Sequence, residues 1–340
     1  MKLPRAHGEH VGSAIFRQQA EDFQVDEQLG LVPDGEGEHV YLHVRKYHTN
    51  TQWLARVLAE FAGVRSRDVS YAGLKDRHAV TTQWFSLNIH KSKEPDWSTL
   101  DMEGIEVLTS TRHRCKLRPG MAKKNHFRIT LREAVYKKDE LESRIDVINR
   151  QGVPNYFGEQ RFGIDEGNLD KATALFRGEI KVKDRKKKGL YLSAARSYLF
   201  NIVLAERVNQ ANWCKAIAGD CMMLDGSNSF FHIDQVDDEI ARRLDVRDIH
   251  PSGPMWGKGD TLVTGQALKL EDQVLQDEDV YKNGMVQVNM KMERRSLRLF
   301  PQELKYESQS DGALTLCFSL SSGQYATTVL QELFQLHSGG

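Results

Sequence analysis

Cysteine is scarce in this chain, and its four residues, Cys115, Cys214, Cys221 and Cys317, are too far apart to suggest a disulfide framework or a cysteine metal site. Sparse cysteine leads us to expect a reducing, cytoplasmic setting. The twelve histidines include no HxxxH pair on a helical run with a third ligand in view, so no metal is expected. Long apolar runs are missing as well: no segment approaches the roughly 20 residues that cross a bilayer, and Met1–Ser13 lacks the apolar stretch of a secretory signal. A GxSxG elbow, a Walker loop and a dinucleotide GxGxxG are also absent; the GEGEHV segment at Gly35–Val40 is turn chemistry. Net charge is zero, from 47 basic and 47 acidic residues, and taken over the whole chain this argues against a polyanionic partner.

The distribution of charge points the other way. Between Arg112 and Arg132 lie Arg112, Arg114, Lys116, Arg118, Lys123, Lys124, Arg128 and Arg132, with no acidic residue among them. Lys181, Lys183, Arg185, Lys186, Lys187 and Lys188 form a second run interrupted only by Asp184. One such run alone reads as a solvated face. Two runs, one interleaved with Asn125 and Phe127, put an RNA partner level with that reading.

At 340 residues and 38.8 kDa, two domains or one domain with a large insertion are expected. Hydrophobic residues at 40% suffice for a core, and a mean hydropathy of −0.53 is that of a soluble protein. Phe23–Val25, His39–Val44, Asp68–Tyr71, Gln83–Ile89, Ile105–Ser110 and Asn125–Leu131 alternate like strands. Trp53, Leu54, Val57, Leu58 and Phe61 recur at helical spacing after a cap at Thr49 or Asn50, and Lys138–Arg150 reads as a helix. The pattern is α+β. From Gly152 the texture changes to a loop rich in aromatics and glycine, then to helices predicted at Asn168–Arg177, at Ser193–Gln210 with Ser193 as its cap, and at Glu271–Val280. Glu307–Ser321 alternates like a hairpin and Tyr325–His337 is amphipathic, so a helix-rich module inserted into a sheet domain fits the order.

With metal, nucleotide-cofactor and hydrolase motifs absent, what remains is a carboxylate, a set of cations and aromatics in polar surroundings. Asp76 stands beside Lys75 in the polar segment AGLKDRHAVTT at Ala72–Thr82, between two strand-like runs. A carboxylate held in such a loop suits attack on an electrophilic carbon without a metal. Extended over Ala72–Trp84 (AGLKDRHAVTTQW), and together with AEDFQVDE at Ala20–Glu27, KKNHFRITLRE at Lys123–Glu133, VPNYFGEQRFG at Val153–Gly163, YLSAARSYLFN at Tyr191–Asn201 and SSGQYATTVLQEL at Ser321–Leu333, it resembles the tRNA pseudouridine synthase D family, in the family's order along nearly the whole chain.

The resemblance implies an isomerase that converts uridine-13 of tRNA to pseudouridine, on an α+β fold. Its catalytic domain, 1–151 and 298–340, has a mixed or antiparallel sheet of the pseudouridine-synthase type, and a family-specific α/β insertion fills 152–297. It implies Asp76 as nucleophile and Arg17 as its ionic partner, with Phe23, Asn125, Phe127 and Tyr325 around the target uridine. At the last position the family often carries phenylalanine, so the Tyr325 hydroxyl needs a partner or water. The reaction is redox-neutral and adds no atoms, so no cofactor is expected. Phe23 and Phe127 also alternate with Val25 and with Ile129 and Leu131, which equally describes core residues. His78 reads as a solvated loop histidine, and Lys75 as a structural or phosphate-contacting neighbour. The rival reading is a non-catalytic RNA-binding or RNA-folding protein on the same fold, which would have lost Asp76 or Arg17. No exposed apolar helix stripe is seen, and a monomer is expected.

Overall fold

The computed structural model describes residues 1–89 and 94–339 and divides into two compact units. One comprises His10–Ile145, Pro301–Gly323 and Leu333–Gly340; the other comprises Met1–Glu9, Asp146–Phe300 and Gln324–Glu332.

Alternation builds the first unit. Its mixed sheet runs in the order Gln302–Ser308, Leu314–Ser321, Ala122–Tyr136, Phe23–Leu29, Val80–Asn88, His39–Tyr47, Ile105–His113. Gly12–Phe16 joins it by pairing with Ala122–Tyr136 and with Phe334–Ser338. Along the main path one neighbouring pair is parallel, Phe23–Leu29 with Val80–Asn88. A parallel pair needs a crossover, which the chain between Leu29 and Val80 supplies with the strand His39–Tyr47 and the helix Thr51–Phe61. Asn50 caps that helix, its side-chain oxygen accepting from the Gln52 and Trp53 amides at 2.8 and 3.2 Å. Leu54, Ala55, Leu58 and Ala59 then form the stripe that packs on Val40, Leu42, Val44, Phe85 and Leu87. Each fully buried leucine contributes about 1.5–3 kcal/mol. The inward parity of Val40, Leu42 and Val44 continues to Lys46, which is as fully buried as they are.

The second unit is organised by the 25-residue helix Arg185–Asn209. Its Leu199 and Val203 pack with Ile217, Val263, Ala267 and Leu270, while Phe200 and Leu204 pack with Tyr156, Phe157, Trp213 and Leu297. An antiparallel sheet, Phe230–His232, Cys221–Leu224, Ile249–Met255, Glu293–Ser296, completes it. Two buried ion pairs cross this core: Arg207 with Asp220 at 2.9 Å, and Arg294 with Glu271 at 2.7 Å.

Three predicted elements differ from the structure. The long helix starts at Arg185, capped by Asp184, whose side chain accepts from the Lys186 and Lys187 amides, so Ser193 lies inside it. Its first turns carry cations in place of apolar periodicity, which hid them. Glu271–Val280 spans the end of one helix, Gly265–Val274, and the start of another, Asp279–Gln287. The stretch from Tyr325 splits into the short helix Ala326–Gln331 and the strand Phe334–Ser338, because pairing with Gly12–Phe16 recruits its second half into the sheet. Among the described residues no helix is long and apolar enough to cross a membrane.

Glu271→Ala leaves the Arg294 guanidinium buried without its carboxylate. We expect it to lower the unfolding free energy by about 3–5 kcal/mol, whereas the paired change Glu271→Leu with Arg294→Met loses far less; urea unfolding followed by circular dichroism checks both.

Candidate active site

Arg17 follows the strand Gly12–Phe16 and takes a left-handed backbone, φ 59°, a conformation that costs a non-glycine residue about 1–3 kcal/mol. The next turn, Ala20–Asp22, holds it there. Asp22 is buried, accepts from the Gln19 amide at 2.9 Å, and is gripped by Arg132, whose Nε donates to it at 2.9 Å. The Arg17 guanidinium lies 4.0 Å from the centre of the Phe23 ring and donates to Asp76 Oδ2 at 2.7 Å. The Arg17 and Asp76 side chains keep 29% and 18% exposure, so the pair is open to a ligand.

Asp76 sits on a loop pinned from several sides. The Thr51 hydroxyl oxygen accepts from the Lys75 amide at 3.1 Å and donates to Gln83 Oε1 at 3.0 Å, and Gln83 Nε2 donates to the Gly73 carbonyl at 2.6 Å. The Lys75 ammonium pairs with the buried Glu27 carboxylate, whose other oxygen accepts from the Trp84 amide at 2.9 Å. Lys46 Nζ donates to the carbonyls of Thr49 at 2.7 Å and of Asp76 itself at 3.0 Å. Burial pushes the Lys46 ammonium down to about 8; the Asp76 charge opposes that shift and Lys75 adds to it.

Register places the remaining residues. Phe23, Val25 and Glu27 stand opposite Ile129, Phe127 and Asn125, and directly opposed residues of an antiparallel pair share a face. The Phe23 and Phe127 rings are 6.0 Å apart, Phe127 stacks on Phe318 at 5.5 Å, and both Phe23 and Phe127 are buried. Their core reading is therefore correct in the geometry, and the face of Phe23 is occupied by Arg17. Asn125 Oδ1 and Arg17 Nε are buried and find no hydrogen-bond partner among the described residues. Such orphans are rare in folded proteins, and each leaves hydrogen-bonding capacity unused among the described residues. His78 is exposed, its ring edge on His48 at 5.2 Å. Among the described residues no group of three or more His, Cys, Asp or Glu could hold a metal.

The structure thus gathers Arg17, Phe23, Asp76, Asn125 and Phe127 in one unit. Tyr325 belongs to the other. There its ring lies 6.0 Å from Phe157, and its hydroxyl accepts from Arg161 Nε at 2.9 Å while the same guanidinium donates to Ser193 Oγ at 2.8 Å. A Cβ on Gly158 would come within 3.0 Å of the Tyr325 ring, which accounts for glycine in that loop.

The two basic runs separate. In the first, Arg112 pairs with Glu94, Arg114 with Glu36, Arg128 with Glu307 and Arg132 with Asp22, so much of its charge is spent within the protein. The second is exposed, and Arg185–Lys188 sits on the N-terminal turn of its helix, where cations add to the positive end of the dipole. Lys46, Glu27 and Arg161 were not singled out from the sequence. The signal for the first two was there: each is a charged residue at the inward parity of an otherwise apolar strand.

A family model described as tRNA pseudouridine synthase D (TruD) matches residues 6–182 and 168–333. A protein of Methylococcus capsulatus named tRNA pseudouridine synthase D is 48% identical over 338 residues, covering 99% of this chain and 96% of that one. Another of the same name, from Nitrosococcus oceani, is 45% identical over 325 residues, covering 95% and 91%. In fold, the chain is similar to a crystal structure from Methanosarcina mazei described as a tRNA pseudouridine synthase D, with a TM-score of 0.72 over 98% of this chain and 96% of that one at 23% identity. Matched by the family model along both parts of its length and by relatives sharing nearly half their residues from end to end, the chain belongs to the tRNA pseudouridine synthase D family.

Proposed function

We propose that this chain is a tRNA pseudouridine synthase that isomerises uridine-13 with Asp76 as nucleophile and no cofactor. The observation that carries this reading is the Arg17–Asp76 pair, 2.7 Å apart and still partly exposed, on a loop whose backbone is tied to the sheet. Asp76 bonds to the nucleoside, the bond between N1 and the sugar breaks, the base turns so that C5 bonds to the sugar carbon, and the bond to Asp76 breaks again to release the carboxylate. C5 gives up its proton and N1 gains one, so atoms and electrons balance without a redox partner. Arg17 orients the carboxylate, and its free Nε–H is available to the uridine or its phosphate. The orphan Asn125 Oδ1 accepts a hydrogen bond from the ring N–H of uracil, and a tyrosine or phenylalanine face at position 325 stacks the extruded base, which is worth about 1–3 kcal/mol. Phe23 and Phe127 act from below, Phe23 by carrying the guanidinium on its ring. We place the catalytic domain at 1–151 and 298–340 with 152–297 inserted, the working form as a monomer, and its setting as the cytoplasm.

Unmodified tRNA incubated with wild-type protein without metal or cofactor gains a carbodiimide-dependent primer-extension stop at uridine-13, and Asp76→Asn abolishes it. Tight tRNA binding with no stop from either protein would move the reading to a non-catalytic RNA binder. Lys181–Lys188 supplies the phosphate contacts: neutralising Lys186 and Lys187 should weaken tRNA binding and flatten the slope of log affinity against log salt by about 1.4–1.8, at about 0.7–0.9 for each lost contact. Tyr325→Phe keeps the stacking face and removes the acceptor of Arg161, so the rate is retained while stability in urea unfolding falls by about 0.5–1.5 kcal/mol.

A further inference from the structure

We infer that Lys46 is a positioning residue for the nucleophile: its buried ammonium fixes the main chain of Asp76 and so the direction of the carboxylate. This rests on the reading of Asp76 as the attacking group.

Lys46 is fully buried on a strand whose other inward residues, Val40, Leu42 and Val44, are apolar. Its nitrogen donates to main-chain carbonyls, and among the described residues it has no carboxylate in ion-pair contact. Burying an ammonium on such terms is unfavourable, and a methionine of equal reach would fill the space with less loss. What methionine cannot do is bind two carbonyls. One, at Thr49, lies at the entry to the helix Thr51–Phe61; the other belongs to Asp76. On the other side of the same residue, the Lys75 amide is held by the Thr51 hydroxyl. The backbone of Asp76 is therefore held before and after its Cα, and Arg17 takes the carboxylate. Three fixed points leave the side chain little room to swing, which is the tolerance that attack on one carbon requires.

The charged groups facing the ammonium, Asp76 and Lys75, are both on the loop, while the flanking strands present Thr81 and Ile105. Its proton is lost as pH rises through about 8, and with it the charge that strengthens both carbonyl bonds.

The test is the single-turnover rate of pseudouridine formation with enzyme in excess, from about pH 6 to 10, beside the Kd for tRNA, for wild type, Lys46→Met and Lys46→Gln. Wild type should slow as pH rises through about 8. Lys46→Met should be about 10–100-fold slower with its tRNA affinity unchanged and no such alkaline limb. Lys46→Gln, which keeps a donor but does not titrate, should recover part of the rate and also lack the limb. A wild-type profile flat through pH 8, a Lys46→Met rate equal to wild type, or a slow variant that keeps the limb would overturn the inference. The wild-type and Lys46→Gln profiles decide the matter if Lys46→Met does not fold. Activity in wild type that is lost in Asp76→Asn upholds the nucleophile whatever Lys46 does, whereas inactivity of wild type on tRNA brings down both readings.

Discussion

The carboxylate we propose as nucleophile has to be held still without being covered, and the Arg17–Asp76 pair meets that constraint at 2.7 Å with both side chains partly exposed. Neither residue is in a regular element. Arg17 directly follows a strand and Asp76 lies mid-loop between Tyr71 and Val80, so the sheet must fix each from outside. Asp22 and Arg132 do this for the Arg17 turn, while Thr51, Gln83, Lys46 and the Lys75–Glu27 pair do it for the Asp76 loop. The left-handed backbone at Arg17 belongs to the same economy, since strain persists only where the surroundings over-determine the conformation.

The polar groups that do this holding are buried, and they occupy positions that alternation assigns to the core. Lys46 follows Val40, Leu42 and Val44; Glu27 follows Phe23 and Val25. Glu27 has a charged partner in Lys75, whereas Lys46 has two main-chain carbonyls in place of one. The unsatisfied polar atoms nearby are different in kind: Asn125 Oδ1 and Arg17 Nε find no partner among the described residues, whereas Glu27, directly opposite Asn125, is satisfied two ways.

The basic runs show why composition is a poor guide to a binding surface. On paper, Arg112–Arg132 is the longer stretch free of acid. In space, Glu94, Glu36, Glu307 and Asp22 arrive from elsewhere in the chain and neutralise half of it. The Lys181–Lys188 run keeps its charge because Asp184 spends its carboxylate on capping the helix.

Periodicity alone determined that the chain is α+β, that helices follow Asn50 and cover Lys138–Arg150, and that a hairpin ends at Ser321, though it begins at Gln302 and not at the expected Glu307, since these follow from which neighbours along the chain share a face. Its place in a polar loop and the family resemblance singled out Asp76, and the resemblance alone singled out Arg17. Neither source revealed that Lys46 lies beneath Asp76, that Arg161 occupies the Tyr325 hydroxyl, that Ser193 is inside a helix, or that the segment after Leu333 is a strand. Each of those depends on a partner many residues away, brought up by sheet register or helix packing, and side-chain hydrogen bonds of that range leave no period in a sequence.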